Sequence, residues 1–233
     1  MAVFLQNCWL SMLLAGVIGY LLGSVSFAII VTKAFSGKDI RAYGSGNAGA
    51  TNVLRSQGKL PALLTFLGDL AKSMLSVYLG GVLLCSLQLA PVENSTLLTH
   101  DPENLVLIGK YLAGLCCVMG HIYPVFFGFR GGKGVMTILG MMLILDWQTA
   151  LIALGVFAVV VLFSRMVSLG SIIAGISLPV ITCVMRRFVY HQAWPTVAFC
   201  VAATTLVALI AIIKHHENIK RILAGTESKI GRR

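Results

Sequence analysis

The sequence predicts an all-α fold, a polytopic transmembrane helix bundle of about seven spans, and three observations carry that expectation. Hydrophobic residues make up 58% of the 233 residues and charged residues only 11%, with a mean hydropathy of +0.90, a balance far outside that of a water-soluble domain. Apolar runs suited to a hydrocarbon core of roughly 30 Å recur from residue 8 to residue 213. No soluble-sized segment interrupts them, so residues 1–233 are expected to form a single integral membrane domain.

The expected spans are Cys8 to Thr32, Leu60 to Leu89, Leu105 to Phe127, Val135 to Leu145, Thr149 to Phe163, Val167 to Met185 and Trp194 to Ile213. The first is too long for a signal-peptide core, follows no basic residue and contains no cleavage site, so it is read as a span. Crossing a bilayer takes about 20 helical residues. The fourth and fifth runs, at 11 and 15 residues, are short, which suits helices that pack against protein or line a wet cavity.

Basic residues choose the orientation. Fourteen of the eighteen fall after the odd-numbered spans, three (Lys110, Arg186 and Arg187) fall on the other side, and Lys72 lies within the second span. The N-terminus is therefore expected outside and the C-terminus in the cytoplasm. The segment from Gln88 to Asn104 becomes the main outward loop, and Glu93, Asp101 and Glu103 fit such a loop without indicating chemistry. The net charge of +10 is spread through short loops, which favours anionic lipid and anionic substrates over nucleic acid as partners. Six cysteines in or beside apolar runs show neither metal-ligand spacing nor a secreted disulfide framework.

Three polar clusters stand out. The first, Tyr43 to Arg55, alternates Gly44, Gly46 and Gly49 with Ser45, Asn47, Thr51 and Asn52. A loop of this kind lets backbone N–H groups converge on an anion, and Arg55 adds a fork suited to bidentate phosphate binding. The plain alternative is a flexible turn. The second, Gly120 to Gly134, ends in Gly131, Gly132, Lys133 and Gly134 directly before another apolar run, the ingredients of an anion site at a helix N-terminus. Its spacing is not that of a nucleotide P-loop, and a positive-inside turn tightened by glycines is the plain alternative. His121 reads better as a structural hydrogen-bonding residue.

The third cluster is the tail from Lys214 to Lys229, in which His215 and Asn218 share a helical face if the last helix continues. A snorkelling basic helix end is its plain reading. Ser168 and Ser171, with Arg165 and Gly170, form a weaker polar group at another helix end. Asp69 and Lys72, three apart inside the second span, can pair on one face, as a functional site or as a structural ion pair.

The segments GSGNAGATNVLR, GHIYPVFFGFRGGKG and HHENIKRILAGTE, in this order and separated by matching apolar runs, closely resemble the acyl-phosphate:glycerol-3-phosphate acyltransferase family of bacterial membranes. The resemblance spans essentially the whole chain, with Arg130 standing where the family usually has lysine. It implies transfer of a fatty acyl group from acyl phosphate to the 1-hydroxyl of sn-glycerol 3-phosphate, giving 1-acylglycerol 3-phosphate (lysophosphatidate) and phosphate, in phospholipid biosynthesis at the inner membrane. It implies no metal and no cofactor. Carried over by motif, Ser45, Arg55, Lys133, His215 and Asn218 look catalytic. Gly46, Asn47, Thr51, Asn52, Gly131, Gly132 and Gly134 look like substrate-binding positions, and the family's conserved serine in the polar turn corresponds to Ser168 or Ser171.

The implied chemistry needs a nucleophilic alcohol, a stabilised oxyanion and neutralised phosphates. Arg55, Lys133 and the loop amides can supply the charge, with His215 the natural base. The donor phosphate can itself accept the proton, so direct, substrate-assisted transfer is favoured over a covalent Ser45 acyl-enzyme. No histidine has an aspartate five residues on, which disfavours a His-Asp dyad working on acyl-CoA. A phosphate or organophosphate transporter would call for an internal repeat, and none is found. A non-catalytic scaffold would tolerate loss of Ser45, Arg55, Lys133 or His215.

Overall fold

The computed structural model describes residues 2–86 and 102–231, with side chains described from Cys8 to Ser86 and from Glu103 to Gly231. Ten α-helices carry these residues: α1 (Ala2–Ser24), α2 (Phe27–Ser36), α3 (Ala50–Gln57), α4 (Lys59–Ser86), α5 (Pro102–Ile122), α6 (Val135–Leu145), α7 (Trp147–Ser164), α8 (Val167–Val184), α9 (Trp194–Lys214) and α10 (His216–Leu223). Among the described residues there is no strand. Among the described residues six segments are long and apolar enough to cross a membrane, and α6 is a shorter apolar helix. The all-helical, polytopic expectation is met.

Several boundaries differ from those expected, each for a local reason. The first span is broken at Val25 and Ser26 into α1 and α2. The Lys72 ammonium accounts for the break, as described below. The third helix stops at Ile122, because Pro124 has no N–H to continue the ladder, and a 3-10 turn, Val125–Phe127, follows. The fifth expected span grows to the 18 residues of α7 because Asp146 caps it, accepting from the Thr149 amide at 3.0 Å and hydroxyl at 2.8 Å. After α8 the chain makes a π-helical turn, Met185–Val189. The end of the second expected span, with Glu93 and Asp101, lies outside the described residues.

The chain divides into two compact units, Met1–Leu145 and Asp146–Arg233. In the first, α1, α4 and α5 pack against one another, α6 packs on α4 and α5, and the short α2 and α3 lie on α4. Helix approach here depends on glycine. A Cβ at Gly19 or Gly23 would run into the backbone of Ala113 or Cys117 on α5, and one at Gly120 into Tyr20 and Ser24 on α1. Backbones meeting this closely gain dispersion and leave no room for lipid. In the second unit α8 packs between α7 and α9, and α10 contacts both α8 and α9. Asp146 also accepts from Tyr190 Oη at 2.9 Å and lies 3.7 Å from Arg186, tying the start of α7 to the π-helical turn. Burial and hydrogen bonding to Asp146 push the Tyr190 phenol up to about 12.

The α1 and α5 contact predicts that Gly23→Leu destabilises the detergent-solubilised protein by about 1–3 kcal/mol through overpacking. Gly175→Leu, at a position with nothing within 4 Å of the added Cβ, should leave the thermal midpoint unchanged. Melting curves of the two variants against the parent check this.

Candidate active site

In the first unit the chain leaves α2 through Gly37 and turns at Ile40–Ala42, where Asp39 accepts from the Arg41 amide at 2.9 Å. The Arg41 guanidinium folds back onto the same carboxylate at 2.7 Å. Hydrogen bonds from Arg41 hold the Asp39 carboxyl below the usual carboxylate range, against the opposing effect of burial. Arg41 then donates onward to the carbonyls of Phe127 at 2.6 Å and Arg130 at 3.3 Å. One side chain thus fastens the first polar loop to the second.

The loop itself is organised around Asn52, which is buried on α3. Its amide nitrogen donates to the carbonyls of Tyr43 at 2.9 Å, Asn47 at 3.1 Å and Ile40 at 3.3 Å, while its oxygen accepts from the Ser45 amide at 3.0 Å. Gly44 (φ 57°) and Gly46 (φ 69°) occupy the left-handed region, and a Cβ on Gly44 would overlap the Asn52 amide oxygen. Beneath the loop Ile40, Ala48 and Val53 are buried with Ala28, Ile29 and Ala62. What this leaves exposed is the Ser45 hydroxyl, and Thr51 with Arg55 one turn apart on α3. These three side chains make no hydrogen bond to the described residues.

The second loop folds back onto the end of α5. The Gly131 amide donates to the Ile122 carbonyl at 3.1 Å and the Gly132 amide to the His121 carbonyl at 3.0 Å. Gly134 (φ 87°) turns the chain into α6, whose first turn is tied by Thr137 Oγ1 donating to the Gly134 carbonyl at 2.7 Å. Lys133 is half-buried at the head of that helix. The expectation that all the glycine-loop amides face an anion is revised by this geometry, since those of Gly131 and Gly132 are spent on α5.

In the second unit α9 ends at a bend on His215, which is buried like Asn218. His215 Nδ1 lies 2.7 Å from the Ala211 carbonyl and donates to it, so the neutral ring carries its lone pair on Nε2. After α10, Gly225 (φ 71°) reverses the chain and returns Glu227 to the helices. Glu227 accepts from Ser168 Oγ at 2.6 Å, Asn218 Nδ2 at 2.7 Å and Arg221 Nε at 2.8 Å. The tail is closed by the Ile230 amide on the Arg165 carbonyl at 2.8 Å. Ser171 is separated from Ser168 here, because its hydroxyl donates back to the Val167 carbonyl at 3.0 Å.

Glu227, Arg41 and His121 were not among the candidate site residues. Glu227 had a detectable signal, an acidic side chain just past the glycine stop of a basic tail. Arg41 had a weaker one in its spacing from Asp39. Burial raises the Glu227 pKa, but the hydrogen bonds from Ser168, Arg221 and Asn218 outweigh it and leave the carboxyl below its ordinary value. A depressed carboxylate stabilises the fold fully above its unfolded value of 4.5 and loses that contribution as pH falls through the lower folded value. Melting followed from pH 7 to pH 3 should show this acid loss, and Glu227→Gln should lower the neutral-pH midpoint and flatten the acid limb.

The chain is similar to known proteins over most of its length. The profile of the family described as glycerol-3-phosphate acyltransferase matches residues 13–225. A glycerol-3-phosphate acyltransferase of Neisseria meningitidis serogroup C (strain 053442) is 40% identical over 214 residues, covering 92% of this chain and 94% of the relative. One from Clostridioides difficile (strain 630) is 40% identical over 223 residues, covering 96% and 97%. Among solved structures, PlsY (YgiH), an integral membrane glycerol 3-phosphate acyltransferase, superposes with a TM-score of 0.76 in its glycerol 3-phosphate form, at 33% identity over 95% of this chain and 96% of that one. Its lysphosphatidic acid form gives 0.73. Residues matched from 13 to 225 take in both loops, His215, Asn218 and the tail as far as Gly225, and the chain belongs to the glycerol-3-phosphate acyltransferase family.

Proposed function

We propose that this acyltransferase moves a fatty acyl group from acyl phosphate to the 1-hydroxyl of sn-glycerol 3-phosphate, releasing 1-acyl-sn-glycerol 3-phosphate and phosphate. This is the first acylation of phospholipid synthesis. The observation that carries the reading is the division of labour in the first loop. Asn52 and the glycines are consumed in holding it rigid, while Ser45, Thr51 and Arg55 stand exposed and uncommitted. A rigid loop presenting a hydroxyl pair and a guanidinium is preorganised for a phosphate. The solved relative's glycerol 3-phosphate and lysphosphatidic acid forms fit substrate and product.

Each residue has a physical part. Arg55 neutralises phosphate through its planar fork, with Ser45 and Thr51 as neutral donors, and Gly46 and Asn47 shape their loop. Lys133 and the first amides of α6, beginning at Gly134, hold the glycerol 3-phosphate headgroup. Gly131 and Gly132 contribute by carrying no side chain. His215, fixed through Nδ1 on the Ala211 carbonyl, orients bound substrate, Asn218 and Ser168 are held by Glu227 in the tail cluster, and Ser171 serves its own helix. The sugar-alcohol oxygen bonds to the acyl carbon, the bond from that carbon to the phosphate oxygen breaks, and the departing phosphate takes the hydroxyl proton. Among the described residues the Ser45 hydroxyl has no hydrogen-bonded base, so direct transfer is preferred to an acyl-enzyme. The excess of basic residues in these loops supports a reading in which the chemistry faces the cytoplasmic side of the inner membrane, with the bilayer as the acyl chain's solvent.

Purified protein given glycerol 3-phosphate should form lysophosphatidate from acyl phosphate and none from acyl-CoA. Product from acyl-CoA alone would overturn the donor assignment. Arg55→Ala should lower kcat/KM for glycerol 3-phosphate by about 10²-fold, the worth of a bidentate charged contact. Arg55→Lys should recover only part of it. His215→Ala should reduce kcat by about 10²-fold with a smaller change in KM, and retention of most turnover would make His215 structural.

A further inference from the structure

The mechanism leaves a buried ionic cluster of the first unit unused. Asp69, Lys72 and His121 lie inside the first unit with relative exposures of 1%, 5% and 5%, where an ionisable group is expensive unless it acts or is fully paired. Lys72 Nζ is 2.8 Å from Asp69 Oδ1. It also donates to the carbonyls of Gly23 at 2.9 Å and Val25 at 2.6 Å, the groups left without helix partners where α1 breaks before α2. Its remaining neighbour is His121 Nδ1 at 3.1 Å. The same Nδ1 lies 3.5 Å from Asp69 Oδ1, so this edge of the imidazole faces both members of the ion pair.

That ring is in contact with the glycine loop. A Cβ on Gly132 would overlap His121 Nε2, and one on Gly131 would overlap the His121 carbonyl oxygen. The His121 carbonyl also receives the Gly132 amide, and Lys133 is the next residue. The loop's path before Lys133 is therefore set by residue 121 on two sides, through its backbone and its ring. The ring is set in turn by Lys72. We propose that Asp69, Lys72 and His121 are positioning residues for the Gly131 to Gly134 loop. Asp69 pairs with the lysine, Lys72 orients the imidazole, and the imidazole fixes where Lys133 meets the substrate phosphate. The proposal rests on the reading of that loop as the glycerol 3-phosphate cradle.

Three variants test it in a steady-state assay that separates the two substrates. His121→Ala keeps the Asp69 to Lys72 pair and both carbonyl contacts. The paired variant Asp69→Asn with Lys72→Met removes both charges at once, so that no lone charge is buried. Each should raise KM for glycerol 3-phosphate roughly tenfold, with kcat within about threefold and KM for acyl phosphate unchanged. A cluster that only maintained the fold would lower the yield of active protein without splitting the two KM values. Lys133→Ala tests the cradle itself. If it raises KM for glycerol 3-phosphate while His121→Ala and the paired variant do not, the positioning proposal fails and the cradle stands. If Lys133→Ala leaves that KM unchanged, the cradle reading and the proposal fall together. Failure of both cluster variants to yield folded protein would assign the cluster to fold maintenance and overturn the proposal.

Discussion

Beside a hydrocarbon core a broken helix cannot leave its backbone to water, and this constraint organises every polar feature of the chain. At several of the described helix breaks a side chain from elsewhere arrives to satisfy the exposed amides and carbonyls. Lys72 does so where α1 gives way to α2. Asn52 does so in the first glycine loop, and Arg41 carries that loop's anchorage across to the carbonyls of the second. In the other unit Glu227 gathers donors from α8 and α10.

Satisfying the backbone from within has a functional consequence. A loop whose amides and carbonyls are already matched is stiff, and the side chains left over are held in place for something else. In the first loop the leftovers are two hydroxyls and a guanidinium, a set with an obvious complement in a phosphate group. Such preorganisation matters for acyl transfer, since donors fixed before the substrate arrives need not reorganise as charge develops. The glycines then have two jobs. Gly44 and Gly46 permit the left-handed turns, and Gly131 and Gly132 let a loop lie flat against the end of α5.

Much of this was legible in the sequence. Hydropathy alone marks the membrane segments, and Gly-rich stretches carrying Ser45, Arg55 and Lys133 announce an anion site by composition. His215 and Asn218 share a face by spacing only if the last helix continues; it ends at His215 and a new one starts at His216, and both side chains are buried. The misses follow a pattern. Asn52 reads as one more polar residue of a binding loop, whereas its amide is spent inside that loop. Ser168 and Ser171 are indistinguishable by spacing, yet only the first reaches Glu227. The break after Ser24 was invisible because its satisfying group, Lys72, lies 47 residues on from Val25.

The sequence by itself determined the solvent, the helical class and the chemical character of the loops, because these follow from local composition and from periodicity along the chain. Only the tertiary structure decided which polar groups serve the fold and which remain for substrate. That division depends on hydrogen bonds between residues far apart in sequence, such as Arg41 with Phe127, Lys72 with His121 and Ser168 with Glu227. No local pattern encodes those pairings, since they exist only once the helices have packed and their unsatisfied ends have found partners.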